Sequence, residues 1–181
     1  MATAPAPDVV ERVTSYIRHQ GAKSPDALRD MIQSAHDNLT SMLDGLSPEQ
    51  ASFKPSANDW SVLELMNHVV SAKAGVARAC ERLAKGEVIP SQGGEGDAQD
   101  GMMRGEPFTA IAVARAAVEA AHEEMLSFIA SSLPKANLDV RFHHFIFGDL
   151  NCAEWAAFQR VHDGDHANQI EQIKAAAGYP A

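Results

Sequence analysis

The stretch Val161-His162-Asp163-Gly164-Asp165-His166, near the C-terminus, decides how the chain reads. It lies inside a segment whose spacing predicts one long helix. That helix starts at an N-cap, Asn151, with Glu154 as its capping-box partner, and runs to about Ala177, with Gly178 placed as its stop. Positions i and i+4 of an α-helix lie about 40° apart around the axis and one turn apart along it. His162 and His166 therefore share a face and can reach one metal ion. Trp155, Phe158, Ile170 and Ile173 fall on the same face, which sets both histidines within the apolar stripe. A neutral ring there needs partners for its nitrogens. Asp163 points about 100° away from His162. No glutamate follows His162, so the HExxH pattern of zinc proteases is missing.

Upstream, the same periodicity marks three more long helices and a short one. Val9, Val10, Val13, Tyr16 and Ile17 give an amphipathic pattern over residues 8–20. Ser24-Pro25 reads as an N-cap followed by proline at the first helical position. Leu28, Met31, Ile32, Ala35, Leu39, Met42, Leu43 and Leu46 then sustain a stripe over about five turns, until Gly45 and Ser47-Pro48 end it. His36 is offset from that stripe and reads as a surface or boundary residue. Residues 47–60 form a polar connection. Ser61 and Glu64 make a capping box for a helix reaching about Lys85, with Val62, Leu65, Met66, Val69, Val76, Cys80 and Leu83 on its apolar side. His68 lies at the edge of that side, and the small residues Ala72 and Gly75 leave space beside it. Ile111, Ala114, Val118, Ala121, Met125 and Phe128 mark a helix over about 108–131, with His122 one step off its stripe and read as solvated or boundary. Pro134 breaks the pattern. The aromatic run Arg141–Gly148 reads as a short strand or extended segment, in which His143 and His144 point to opposite sides.

Four long amphipathic helices with no sign of a second domain predict an all-α single domain over 1–181. It is a four-helix bundle with an additional short N-terminal helix within 1–23. The glycine-rich connection 86–107 is long enough to cross the ~30 Å of a 20-residue helix, so its two flanking helices can be parallel. A net charge of −9 without a Lys/Arg cluster argues against a nucleic-acid binder, which normally shows a basic face. No apolar run approaches the ~18 residues of a membrane span, and the N-terminus lacks a signal-peptide pattern. A cytoplasmic protein with two buried free thiols, Cys80 and Cys152, is the expectation.

Bundles build metal sites from side chains projecting inward from facing helices. His162 and His166 need a further ligand, and His68 is the best placed. Three imidazoles suit Zn²⁺ or Ni²⁺ first, with Fe²⁺, Co²⁺ or Mn²⁺ as alternatives. Three protein ligands leave a position open for water or substrate, as in catalytic sites. Gln169, one turn after His166, is placed to orient an imidazole or touch a ligand. Glu64 is explained by its cap, and Trp60 and Trp155 by packing.

Asp59-Trp60-Ser61-Val62-Leu63-Glu64-Leu65-Met66-Asn67-His68 resembles the helix-two signature of the DinB-like superfamily. Phe147-Gly148-Asp149-Leu150-Asn151, Glu154-Trp155 and His162 through Ile170 resemble its last-helix signature. The resemblance spans roughly residues 28–177 and leaves the N-terminal helix outside. It implies up-down-down-up topology, a divalent metal on His68, His162 and His166, and frequent dimerisation. It also implies, for some members, a transferase or isomerase activity using a low-molecular-weight thiol. Gly164 departs from the bulky or charged residue expected there. The expected function is a metal-dependent thiol S-transferase or hydrolase acting on a small molecule, with no general base identifiable from sequence. The alternatives are a non-catalytic metal- or ligand-binding bundle, and a homodimer joined through the N-terminal helix.

Overall fold

The computed structural model describes residues 6–90 and 107–181. Their helices are α1 (Pro7–Gly21), α2 (Pro25–Ser41), α3 (Pro48–Ser52), α4 (Val62–Ala84), α5 (Ile111–Ser131) and α6 (Cys152–Lys174). A 3₁₀ turn at Leu133–Lys135 and a hairpin of β1 (Phe142–His144) and β2 (Gly148–Leu150) connect α5 to α6. The expected caps are in place. Ser24 accepts from Ala27, and Ser61/Glu64 and Asn151/Glu154 form complete capping boxes. Three boundaries differ from expectation, one being the start of α5, at Ile111 rather than about 108. Helix α2 ends at Ser41, short of Leu46, because the chain turns through residues 42–45 to the left-handed Gly45 (φ 69°). The polar connection after it contains α3, started by a third capping box, Ser47/Gln50. Helix α6 stops at Lys174, before the left-handed Gly178 (φ 83°).

The core falls into two apolar clusters, and their membership gives the helix directions. One joins Leu28 and Ile32 of α2 to Ala77, Cys80 and Leu83 of α4, Met125, Phe128 and Ile129 of α5, and Trp155, Ala156 and Ala157 of α6. The other joins Leu39 and Leu43 to Val62, Leu65, Met66 and Val69, Ala114 and Val118, and Ala167, Ile170 and Ile173. Helices α2 and α6 thus run from the first cluster to the second, and α4 and α5 run the other way. That is an up-down-down-up four-helix bundle. Parallel α4 and α5 require the chain to leave at one end and return at the other. The heart of that connection, 91–106, lies outside the described residues.

Helix α1 packs along α6 with Ile17 fully buried. Its last residue has to be glycine. A Cβ on Gly21 would lie 3.0 Å from the Glu154 Cα and backbone nitrogen and 3.1 Å from the Ala153 carbonyl carbon. These are backbone atoms in the first turn of α6 and cannot yield as a side-chain tip would. Gly21→Ala should therefore destabilise the chain by about 1–3 kcal/mol through overpacking. Urea unfolding of parent and variant measures this, and a change within experimental error would show that α1 can shift at no cost.

Candidate metal centre

His68 is buried on α4, seven residues into the helix, and faces the middle of α6. There His162 and His166 stand one turn apart. The Nε2 atoms of all three converge, with His162 Nε2 3.3 Å from His68 Nε2 and 3.2 Å from His166 Nε2. They form a group whose ligand atoms all lie within 4.8 Å of one another. Nitrogens about 2.1 Å from a shared ion are ~3.0 Å apart in octahedral and ~3.4 Å apart in tetrahedral arrangement. The His162–His68 and His162–His166 spacings lie between the two, so these donors are placed to share one divalent ion.

The tautomer of His166 is set by Gln169, whose Oε1 accepts from His166 Nδ1 at 3.1 Å. The proton is held on Nδ1 and the lone pair is left on Nε2, the orientation a ligand needs. Burial, then the neighbouring rings of His162 and His68, push the His166 pKa down to about 3. Its ring is neutral at physiological pH and binds an ion without first losing a proton. The Trp60 ring lies 5.2 Å from that of His68. Trp60 and Gln169 are also walls of a cleft of about 220 Å³, completed by Pro55, Asp59, Gln172 and Ile173.

Periodicity alone sets both α6 histidines inside the apolar stripe. The buried line of α6 instead runs through Cys152, Ala156, Gln159, Asp163, Ala167 and Ile170, and the histidines flank it, with the His162 side chain 10 % exposed. Asp163 occupies the centre of that line at 0 % exposure, and the Lys73 Nζ of α4 donates to its Oδ2 at 2.6 Å. Lys73 is itself 1 % exposed. Burial alone would raise the Asp163 carboxyl, but His162 and the Lys73 ammonium outweigh it and hold it at about 2.

His36 and His122, expected at the surface or boundary, are each 1 % exposed. Their rings stack at 3.8 Å, within 2° of parallel. His36 Nε2 donates to Glu119 Oε2 at 2.8 Å, and His122 Nε2 to Gln33 Oε1 at 3.1 Å. Lys73, Asp163, His36, His122 and Gln159 thus form a polar layer between the two apolar clusters, each long helix contributing at about its midpoint. Among the described residues, His36 Nδ1, His122 Nδ1, both Gln159 side-chain atoms and Asp163 Oδ1 of this layer are buried without a hydrogen bond, as is His162 Nδ1 beside it.

This layer should make the fold acid-sensitive. Burial, then the neighbouring His36 ring and the Lys73 ammonium, lower the His122 pKa from 6.5 to about 3. Between those values the unfolded chain binds a proton that the folded chain does not. The contribution is therefore full above about pH 6.5 and is lost as the pH falls toward 3, with a slope approaching 1.4 kcal/mol per pH unit. Stability at pH 5 should be about 2 kcal/mol below that at pH 7.5 on this account alone. His122→Gln should shrink the difference by about that amount in paired urea titrations, and an unchanged difference would assign the acid sensitivity elsewhere.

The other expected residues divide cleanly. Glu64 is used by its cap and by Lys54, 3.1 Å away. Trp155 packs in the core and donates to the Phe142 carbonyl. Strand alternation sends His143 outward to Asp149, and sends His144 inward among Phe145, Phe147, Trp155 and Phe158; neither joins the cluster. Cys80 and Cys152 are free and buried, and burial raises both thiols. No helix among the described residues is long and apolar enough to cross a membrane.

The family model described as DinB superfamily matches residues 31–170. The chain is 23% identical over 143 residues to the uncharacterized protein YuaE of Bacillus subtilis (strain 168), covering 73% of this chain and 88% of that one. The fold is similar to the crystal structure of TT2238, a four-helix bundle protein, with a TM-score of 0.57 and 18% identity over 82% of this chain and 99% of that one.

Proposed function

The chain belongs to the DinB superfamily, and from that premise we propose that it is a metal-dependent enzyme acting on a small molecule, either a thiol S-transferase or a hydrolase. The observation that carries this reading is the convergence of the His68, His162 and His166 Nε2 atoms at spacings that match a single ion. Three imidazoles suit Zn²⁺ or Ni²⁺, with Fe²⁺, Co²⁺ and Mn²⁺ compatible. An ion so held supplies Lewis acidity that lowers the pKa of a thiol or water beside it.

The protein's own part is to hold and orient. Gln169 keeps the His166 lone pair facing the centre. The cleft of about 220 Å³ has as walls Trp60, whose ring lies 5.2 Å from that of His68, and Gln169, which holds His166, and it is the place we assign to the small substrate. An indole and an isoleucine offer it apolar contact, and Asp59, Gln169 and Gln172 offer hydrogen bonds.

The test uses protein purified without an affinity tag, incubated with Zn²⁺ or Ni²⁺ and desalted. About one equivalent of ion per chain is expected, the stoichiometry of a single three-histidine centre. The loaded protein should accelerate transfer of a low-molecular-weight thiol to an electrophile, or hydrolysis of an activated ester. Less than a tenth of an equivalent of ion would reject the reading. Full loading without turnover of either substrate class would leave a metal-binding bundle that is not an enzyme.

A further inference from the structure

We infer that Asp163, clamped by Lys73, is a positioning residue for the three-histidine centre: its Oδ1 is the acceptor that holds the His162 Nδ1 proton. The inference rests on the metal reading above and concerns a pair of residues, Lys73 and Asp163, that the ligand set does not include.

His162 Nε2 faces the other two histidines, so a ligating His162 must carry its proton on Nδ1. That nitrogen is buried and makes no hydrogen bond among the described residues. Asp163 Oδ1 is buried and makes none there either. The two atoms are 3.9 Å apart. Each orphan is the complement of the other, and at 3.9 Å they stand about 1 Å beyond hydrogen-bond distance. With that bond made, both oxygens of the carboxylate are in use, Oδ2 on Lys73 and Oδ1 on His162.

The two α6 histidines are thereby held in different ways. His166 leans on a neutral amide, Gln169, at the accessible side of the helix. His162 leans on a carboxylate anchored inside the bundle. A carboxylate behind a ligating imidazole fixes its tautomer and raises its basicity. The clamp also links the centre to the helix pairing. Lys73 is on the helix of His68, and Asp163 is on the helix of His162 and His166. One ion pair thus sets the register between the two helices that carry the ligands. A buried ion pair adds little stability over an apolar pair of equal volume, so packing alone does not call for this one.

Asp163→Asn separates positioning from packing, because it keeps the shape. Its single carbonyl oxygen is claimed by Lys73, which turns the amide NH₂ toward His162 and favours the wrong tautomer. Competition titration with Zn²⁺ should show an affinity about 10–100-fold below that of the parent. Long-range ¹H–¹⁵N spectra of the metal-free proteins should show His162 as the Nδ1–H tautomer in the parent and as Nε2–H in the variant. The double variant Lys73→Met/Asp163→Leu refills the layer with apolar atoms and removes the acceptor, so it should fold and still bind weakly. An Asp163→Asn affinity within twofold of the parent's, an unchanged His162 tautomer, or parent affinity in the double variant would each overturn the inference. Absence of Zn²⁺ binding by the parent would instead reject the metal reading, and the tautomer spectra would still decide the role of Asp163.

Discussion

His166→Ala will abolish stoichiometric metal binding while leaving the fold intact. The ring has no structural work beyond the centre. Its Nε2 faces His162, its Nδ1 is held by Gln169 on the same helix, and alanine is the best helix former at the vacated position. Removing it also relieves the crowding of three imidazoles. The metal-free variant should therefore melt at or slightly above the parent's temperature. With two ligands left, affinity should fall roughly a thousandfold, given ~10–16 kcal/mol for a complete structural site. Saturating ion at a hundred times Kd stabilises the parent by about 2.7 kcal/mol. For a chain of this length that is a rise in Tm of about 5–10 °C. The variant should show no rise and less than a tenth of an equivalent of retained ion. A variant that keeps both would place the ion somewhere other than this centre.

Lys73→Met should be the most damaging single substitution in the core. Methionine fits the space of the lysine stem, so the packing loss is small. What remains is Asp163, at 0 % exposure, with its ammonium partner gone. Leaving a buried charge without its partner costs about 3–5 kcal/mol, or about 10–15 °C in Tm for a domain of this size. Adding Asp163→Leu should recover most of that loss or exceed it, because two apolar side chains need no compensation. Denaturant unfolding of the single and double variants measures both. A single-variant loss under about 1 kcal/mol would mean that the carboxylate is hydrated rather than dry.

The three-histidine cluster was legible because its signals are local. His162 and His166 are four residues apart on a capped helix, and His68 follows a capping box within a run that resembles a family signature. Gln169 was legible for the same reason, one turn from the histidine it holds. The polar layer was not. His36 and His122 lie beside apolar stripes, and a polar residue there reads as a boundary position unless its partner is known. Those partners, Glu119 and Gln33, are 83 and 89 residues away in the chain. Lys73 carries no local signal because a lysine amid apolar residues is ordinary when its stem lies along a surface, and Asp163, 90 residues on, is what makes it internal. One pattern was available: a polar residue near the middle of each long helix.

The helices, their caps, the bundle and three residues able to hold an ion are written in the order of the amino acids. Helix formation and capping depend on neighbours within four positions, so a linear reading reaches them. Which face of α6 is innermost is settled only when the helices assemble. With that face comes the placement of Asp163 at the centre of the bundle, with the histidines flanking it. Burial is a property of the assembled helices, and whether a buried charge is tolerable depends on a partner that the chain brings from another helix.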